Sequence, residues 1–213
     1  MFNAFTLDVE SAKKADQEGG RISQTGKYVG TIKRFEFIVS KGGTQGVEIF
    51  FEDDSKQEAN MTLWTQKADG TPIFGRDKVM ALMTVTGTRT LTPQDTTAEK
   101  YDFDVGDKIQ QPVTIAPEIA NKRVGFLIQM EEYQKNDGTI GKKPTLVSSF
   151  REDGFMAKEI IEKKTQPEQL NKAYERLMKN GDKKLQGATN VIVNNSYGAP
   201  TTAPADLDDG LPW

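Results

Sequence analysis

Neither cysteine nor histidine occurs anywhere in the 213 residues. The first absence removes disulfides and thiolate metal sites, and it fits the reducing interior of a cell. The second removes the usual proton carrier at neutral pH and the commonest zinc ligand. Ser–His–Asp and Cys–His catalysis are both excluded as a result. Also missing is any apolar run long enough to span a bilayer, and no signal-peptide pattern opens the chain. A strong charge of either sign is absent too: 28 basic residues face 31 acidic ones, for a net charge of -3. The total therefore does not advertise a polyanionic partner, but the distribution is uneven. Residues 188–213 hold Asp206, Asp208 and Asp209 and no Lys or Arg, whereas 21–46 carry Arg21, Lys27, Lys33, Arg34 and Lys41 against Glu36 alone. The mean hydropathy of -0.60 is polar. Apolar residues still cluster in periodic segments, enough for one core in a domain of ordinary size with appendages.

Residues 27–67 organise the chain. Alternation of β-branched and aromatic residues predicts strands over 27–40, 44–52 and 58–66. Gly42-Gly43 and Asp53-Asp54-Ser55 punctuate them, so the stretch reads as a meander of two hairpins. In the first strand, Val29, Thr31, Lys33, Phe35, Phe37 and Val39 share one parity, and Tyr28, Ile32, Arg34 and Ile38 share the other. In the second, Val47, Ile49 and Phe51 oppose Glu48, Phe50 and Glu52; in the third, Met61 and Leu63 oppose Asn60, Thr62, Trp64 and Gln66. A face that should be wet then carries Tyr28, Phe50 and Trp64. Exposed aromatics on a sheet are the informative observation. They form a platform on which nucleic-acid bases stack, or a helix or second subunit covers them.

Around the meander, residues 1–20 read as a weak helix behind Phe2 and Phe5. Residues 73–84 read as a helix with Val79, Met80, Leu82 and Met83 buried and Gly87 ending it. Residues 88–115 are rich in Thr, Asp, Gln and Pro and read as a long irregular segment. Strands return over 121–134 and 145–151, helices over 156–164 and 166–180, and a flexible tail follows. The expected division is an N-terminal segment 1–20, a core 21–155, appended helices 156–186 and a tail 187–213. The fold class is mainly β with appended helices. The order of three strands, a helix and two strands is that of an OB-fold, a five-stranded Greek-key barrel that binds oligonucleotides. A different barrel with the same elements is compatible.

Asp102, Asp104 and Asp107 have a spacing that would suit Ca²⁺ or Mg²⁺, yet they depart from the EF-hand pattern. Glu52-Asp53-Asp54 is a second carboxylate cluster, of the kind two-metal nucleases use. Both read more simply as solvated turns, and no cofactor or metal is assigned. Gly42, Gly43 and Gly46 form neither a Walker loop nor a dinucleotide fingerprint.

The closing residues, Asp206-Leu207-Asp208-Asp209-Gly210-Leu211-Pro212-Trp213, follow an open TTAPA linker. They resemble the acidic tip of bacterial single-stranded-DNA-binding proteins, with tryptophan in place of phenylalanine and Gly210 interrupting the acidic run. The body, over about 25–85, resembles phage-encoded single-stranded-DNA-binding proteins: GKYVGTIKRFEF, TQGVEIFFE, a Trp-bearing third strand, then Asp69-Gly70 and Phe74-Gly75. The resemblance implies a non-enzymatic protein that binds single-stranded DNA without sequence preference in phage replication, recombination or repair, in the host cytoplasm. It implies recruitment of replication or recombination proteins through Asp206, Asp208, Asp209, Leu211, Pro212 and Trp213, with homo-oligomerisation left open. Tyr28, Phe50 and Trp64 are the expected stacking residues, with Phe35 and Phe37 as alternatives that the core would claim. Lys27, Lys33, Arg34, Lys41 and Lys67 are the expected phosphate contacts, with Arg76 further out. The rival readings are a strand-annealing recombination accessory, a phage structural or adaptor protein, and a metal-dependent nuclease.

Overall fold

The computed structural model describes residues 19–102 and 105–185. All but the last two residues of the N-terminal segment, the predicted tail with its acidic tip, and Asp104 lie outside them. The elements are β1 (Gly20–Arg21), β2 (Gly26–Val39), β3 (Gln45–Asp53), β4 (Gln57–Gln66), α1 (Gly75–Thr86), β5 (Gln94–Asp102), β6 (Asp107–Ile115), a 3-10 turn at Pro117–Ile119, β7 (Arg123–Gln134), β8 (Ile140–Phe150), α2 (Ala157–Ile161) and α3 (Gln169–Asn180). The protein is mainly β, with one curled sheet and a few helices.

β2 is the spine. One edge pairs antiparallel with β3, which pairs with β4. The other edge is divided: β7 takes residues 26–31 and β6 takes Glu36 and Phe37. β8 extends the sheet beyond β7, β5 extends it beyond β6, and β1 adds a short parallel rung to β4. The register of β2 against β3 shifts between Ile32 and Arg34, so Lys33 is an extra residue in the strand. Such a bulge bends its strand and raises the local twist, and here it lies where β2 changes partner. At the same crossing Gly30 is obligatory in size, because a Cβ would lie 2.1 Å from the Glu52 carbonyl oxygen.

The bulge also corrects the predicted parity. Beyond it the faces exchange, so Ile32 and Phe35, three positions apart, are both fully buried. Tyr28, Phe35 and Phe37 lie on the core side, while Arg34, Glu36 and Ile38 lie opposite. The main core gathers Ile32, Phe35, Ile49, Phe51, Met61 and Phe126, with the Phe51 and Phe126 rings 4.8 Å apart. β4 and β8 face each other without a ladder, and α1 packs against both. Val79, Leu82 and Val85 anchor it in the core, and the Lys78 ammonium donates to the Leu146 carbonyl of β8 at 2.5 Å. Burial lowers the Lys78 pKa. Met80, expected in this stripe, is exposed: the buried stripe runs through Gly75, Val79, Leu82 and Val85, and Met80 falls on the far side.

Three further expectations change. The segment expected to be irregular, 88–115, forms the β5–β6 hairpin, called the arm below. Its Thr, Gln, Asp and Lys positions carry no apolar rhythm because most of them stay wet. β8 begins at Ile140, several residues earlier than expected, through a polar stretch paired to β7. The final helices are shorter than their patterns, and α3, expected as an appended helix, docks on the sheet. Its Leu170 and Leu177 pack with Leu127 and Phe150, against Val29, on the face of the sheet away from the main core. Burying each leucine contributes roughly 1.5–3 kcal/mol.

Candidate nucleic-acid interface

The outer face of the curled sheet is divided by what covers it. Under α3 it is closed, and there Lys27 sits with its ammonium 5.5 Å from the Tyr174 ring centroid. Across the far half of β2, β3 and β4 the face stays partly open. Cross-strand rows follow from the register, since residues directly opposite share a face. Arg34, Phe50 and Asn60 form one row; Glu36, Glu48 and Thr62 the next; Ile38, Gly46 and Trp64 the third. Phe50 and Trp64 are both half-buried, with one row between them. Gly46 gives the Trp64 ring its seat: a Cβ there would meet the indole at 2.7 Å. The Arg34 guanidinium lies over the Phe50 ring at 3.8 Å.

Cations bracket this strip. At one end is Lys33, exposed on the bulge, with Glu52 at 3.6 Å. At the other end the β2–β3 turn bears Lys41, and the turn after β4 bears Lys67; both are exposed. The two turns abut, because a Cβ on Gly43 would lie 3.0 Å from the Ala68 Cβ. The first turn is built by Ser40, whose amide donates to the Thr44 carbonyl and whose hydroxyl accepts the Thr44 amide.

Carboxylates share the face, and each has a counterweight. Glu36 is 1% exposed, between Arg34 Nε at 2.5 Å and Lys100 Nζ at 2.6 Å. The Arg34 contact is close but poorly aligned for a hydrogen bond, so it acts as an ion pair. Glu52 is held below the usual carboxylate range, chiefly by its bond to Lys56 and also by Lys33. Glu48 is pushed up by burial; Lys100 and Arg34 pull it down, and Glu36 adds to the rise. The face thus carries partly cancelled charge, with exposed lysines at its two ends.

Of the residues expected from sequence, Lys33, Arg34, Phe50 and Trp64 come together, with Lys41 and Lys67 beside them. Tyr28 does not. It faces the core side, lies flat against Gly26 and donates its hydroxyl to the Gln24 carbonyl at 2.8 Å; burial raises its pKa. The physical reason is the bulge at Lys33, which leaves Tyr28 in phase with the buried Ile32 but moves Arg34 and Ile38 to the opposite face. Phe35 is core, and Phe37 packs edge-on to it with centroids 6.0 Å apart. Arg76 is exposed in the first turn of α1.

The carboxylate clusters serve the backbone and neighbouring cations. Asp53 accepts the Ser55 and Gln57 amides and shapes the β3–β4 turn. Asp54 is gripped by both terminal nitrogens of Arg123. Asp102 accepts the Val105 amide and the Gln111 side chain, and Asp107 accepts the Lys108 amide. Among the described residues no group of three or more His, Cys, Asp or Glu could hold a metal ion. No helix among them is long and apolar enough to cross a membrane. Sequence reasoning missed the arm, including Lys100. Its one usable signal was Gly106 between two Thr/Lys/Gln-rich stretches of strand length. No protein-family model matches the chain, and no curated protein matches it.

Proposed function

We propose that this protein binds single-stranded DNA without sequence preference, in phage replication, recombination or repair, through an OB-type sheet. The observation that carries the reading is the open strip on β3 and β4: half-buried Phe50 and Trp64 on one face, with Lys33 and Arg34 at one end and Lys41 and Lys67 at the other. Aromatic faces accept any base, and cations between them neutralise phosphates, which is what sequence-tolerant binding needs. Topology supports the same reading. Leaving out β1 and the arm, the spatial order is β4-β3-β2-β7-β8, with α1 lying in the chain between β4 and β7. In an OB-fold the corresponding second and third strands carry the oligonucleotide, and here those are β3 and β4. Arg34 strengthens the platform, since a base can stack on the free side of a guanidinium that itself lies on Phe50. The acidic tip, Asp206 to Trp213, is the proposed handle for replication or recombination partners.

The test is anisotropy with single- and double-stranded oligonucleotides at matched salt. Single strands are expected to bind more tightly, with a log–log salt slope of roughly -0.7 per neutralised phosphate. Equal affinity for duplex would overturn the reading. Capture of replication proteins by the full chain and not by one lacking 206–213 tests the handle.

A further inference from the structure

The arm is tied to the sheet only at its base. It joins β2 through only Glu36↔Ile115 and Phe37↔Thr114. On β5, Gln94 pairs with Ile115, so Lys100 stands six residues further along the arm. At about 3.3 Å per residue, a flat arm would carry Lys100 roughly 20 Å from that junction. Its ammonium is instead 2.6 Å from Glu36. The arm therefore folds back across the outer face of the sheet.

Beneath it is a cleft of about 370 Å³, whose floor is Lys33, Arg34 and Phe35 and whose wall includes Thr96, Thr97 and Gln110. Three features point to what it holds. The arm buries little apolar surface of its own, Val113 being its single buried side chain among the described residues, so core packing does not account for nine-residue strands. The lining offers hydroxyl, amide and cationic groups beside the apolar Phe35, Ala98, Ile115, Ala116 and Ala120, and its one carboxylate, Glu99, is paired to Lys108 at 3.7 Å. Finally, the cleft is continuous with the aromatic strip, because Arg34 belongs to both: its side chain lines the cleft and its guanidinium covers Phe50.

We propose that this cleft is a subsite for the sugar–phosphate backbone of a single strand, with the arm as its second wall, so that phosphates lie against Lys33 and the Thr96–Thr97 segment of the arm while bases turn out onto Arg34 and Phe50. The inference rests on the single-strand reading above and adds the arm to it. It assigns Thr96, Thr97 and Gln110 to binding, none of which the strip contains.

The chain's lack of cysteine makes the test clean, since one introduced thiol is the only one present. Thr97→Cys places it on the arm, Lys33→Cys on the floor, and Asn180→Cys at the exposed end of α3 as a control. Each full-length variant is reacted with a maleimide with and without saturating oligo-dT, whose binding is followed by anisotropy. Bound oligo-dT is expected to slow modification of Thr97→Cys and Lys33→Cys severalfold and to leave Asn180→Cys unchanged. Maleimide-capped Thr97→Cys is expected to lose affinity severalfold against the uncapped variant. If oligo-dT binds and protects Lys33→Cys while Thr97→Cys reacts at its free rate, the arm is not a wall, and this proposal falls while the single-strand reading stands. If the unsubstituted protein binds no oligo-dT, both fall.

Discussion

Glu48 shows what one residue costs on a face proposed to meet phosphates. It stands directly opposite Glu36 across the ladder, and burial raises its pKa. A carboxyl whose folded-state pKa is raised destabilises the fold when ionised, and that cost is relieved as pH falls through the folded value. Glu48→Gln is therefore expected to raise Tm at neutral pH, to flatten the stability profile between neutral and weakly acidic pH, and to tighten single-strand binding. Thermal melts of both proteins across that range check it; an unchanged or lower Tm at neutral pH would contradict it. Phe50 and Phe35 make a second contrast at this scale. Phe35 is fully buried, so Phe35→Ala is expected to cost about 3–5 kcal/mol of stability. Phe50→Ala is expected to keep the fold and lose about 1–3 kcal/mol of binding. Urea unfolding and titration of the two variants separate them. The identities of these side chains were legible in the sequence, and the outward positions of Phe50 and Trp64 followed from simple alternation. Tyr28 was misread because a bulge leaves no compositional mark: Lys33 looks like any outward lysine, and only the joint burial of Ile32 and Phe35 reveals the phase change.

Among elements, the meander was readable almost to the residue, because one face of β3 and β4 is apolar without a break. The arm carried no hydrophobic signal, only Gly106 between two stretches of strand length. Its strands are held by each other and by a charged latch instead of by apolar burial, so period-2 hydrophobicity is missing. The latch can be tested on its own. Lys100→Ala leaves Glu36 buried with Arg34 alone and is expected to destabilise the protein by about 1–3 kcal/mol, since one partner of a buried ion pair is lost. It should also open the arm to trypsin, with cleavage at the exposed Lys108 accelerating under native conditions. Unaltered stability together with unaltered cleavage would show that the Lys100–Glu36 contact holds nothing. Helix α3 gives a different lesson. Its Leu170 and Leu177 spacing announced a buried stripe, but nothing local could say that the stripe would close half of the outer face. A helix covers one part of that face, and the half-buried Phe50 and Trp64 lie on the part it leaves uncovered.

Across the described residues the molecule is a curled sheet with β2 as spine, and its partly open outer face narrows to one strip between the arm and the abutting turns that carry Lys41 and Lys67. The central claim is that bases of a single strand stack on that strip. Trp64 reports on it directly, because Trp213 is the only other tryptophan and can be replaced. In a Trp213→Phe protein, Trp64 emission is followed while a single-stranded oligonucleotide is added, with anisotropy of a label on the same oligonucleotide reporting binding. The account expects quenching of Trp64 that saturates together with binding, and little quenching by duplex at the same salt. Saturated binding with Trp64 emission unchanged would contradict it.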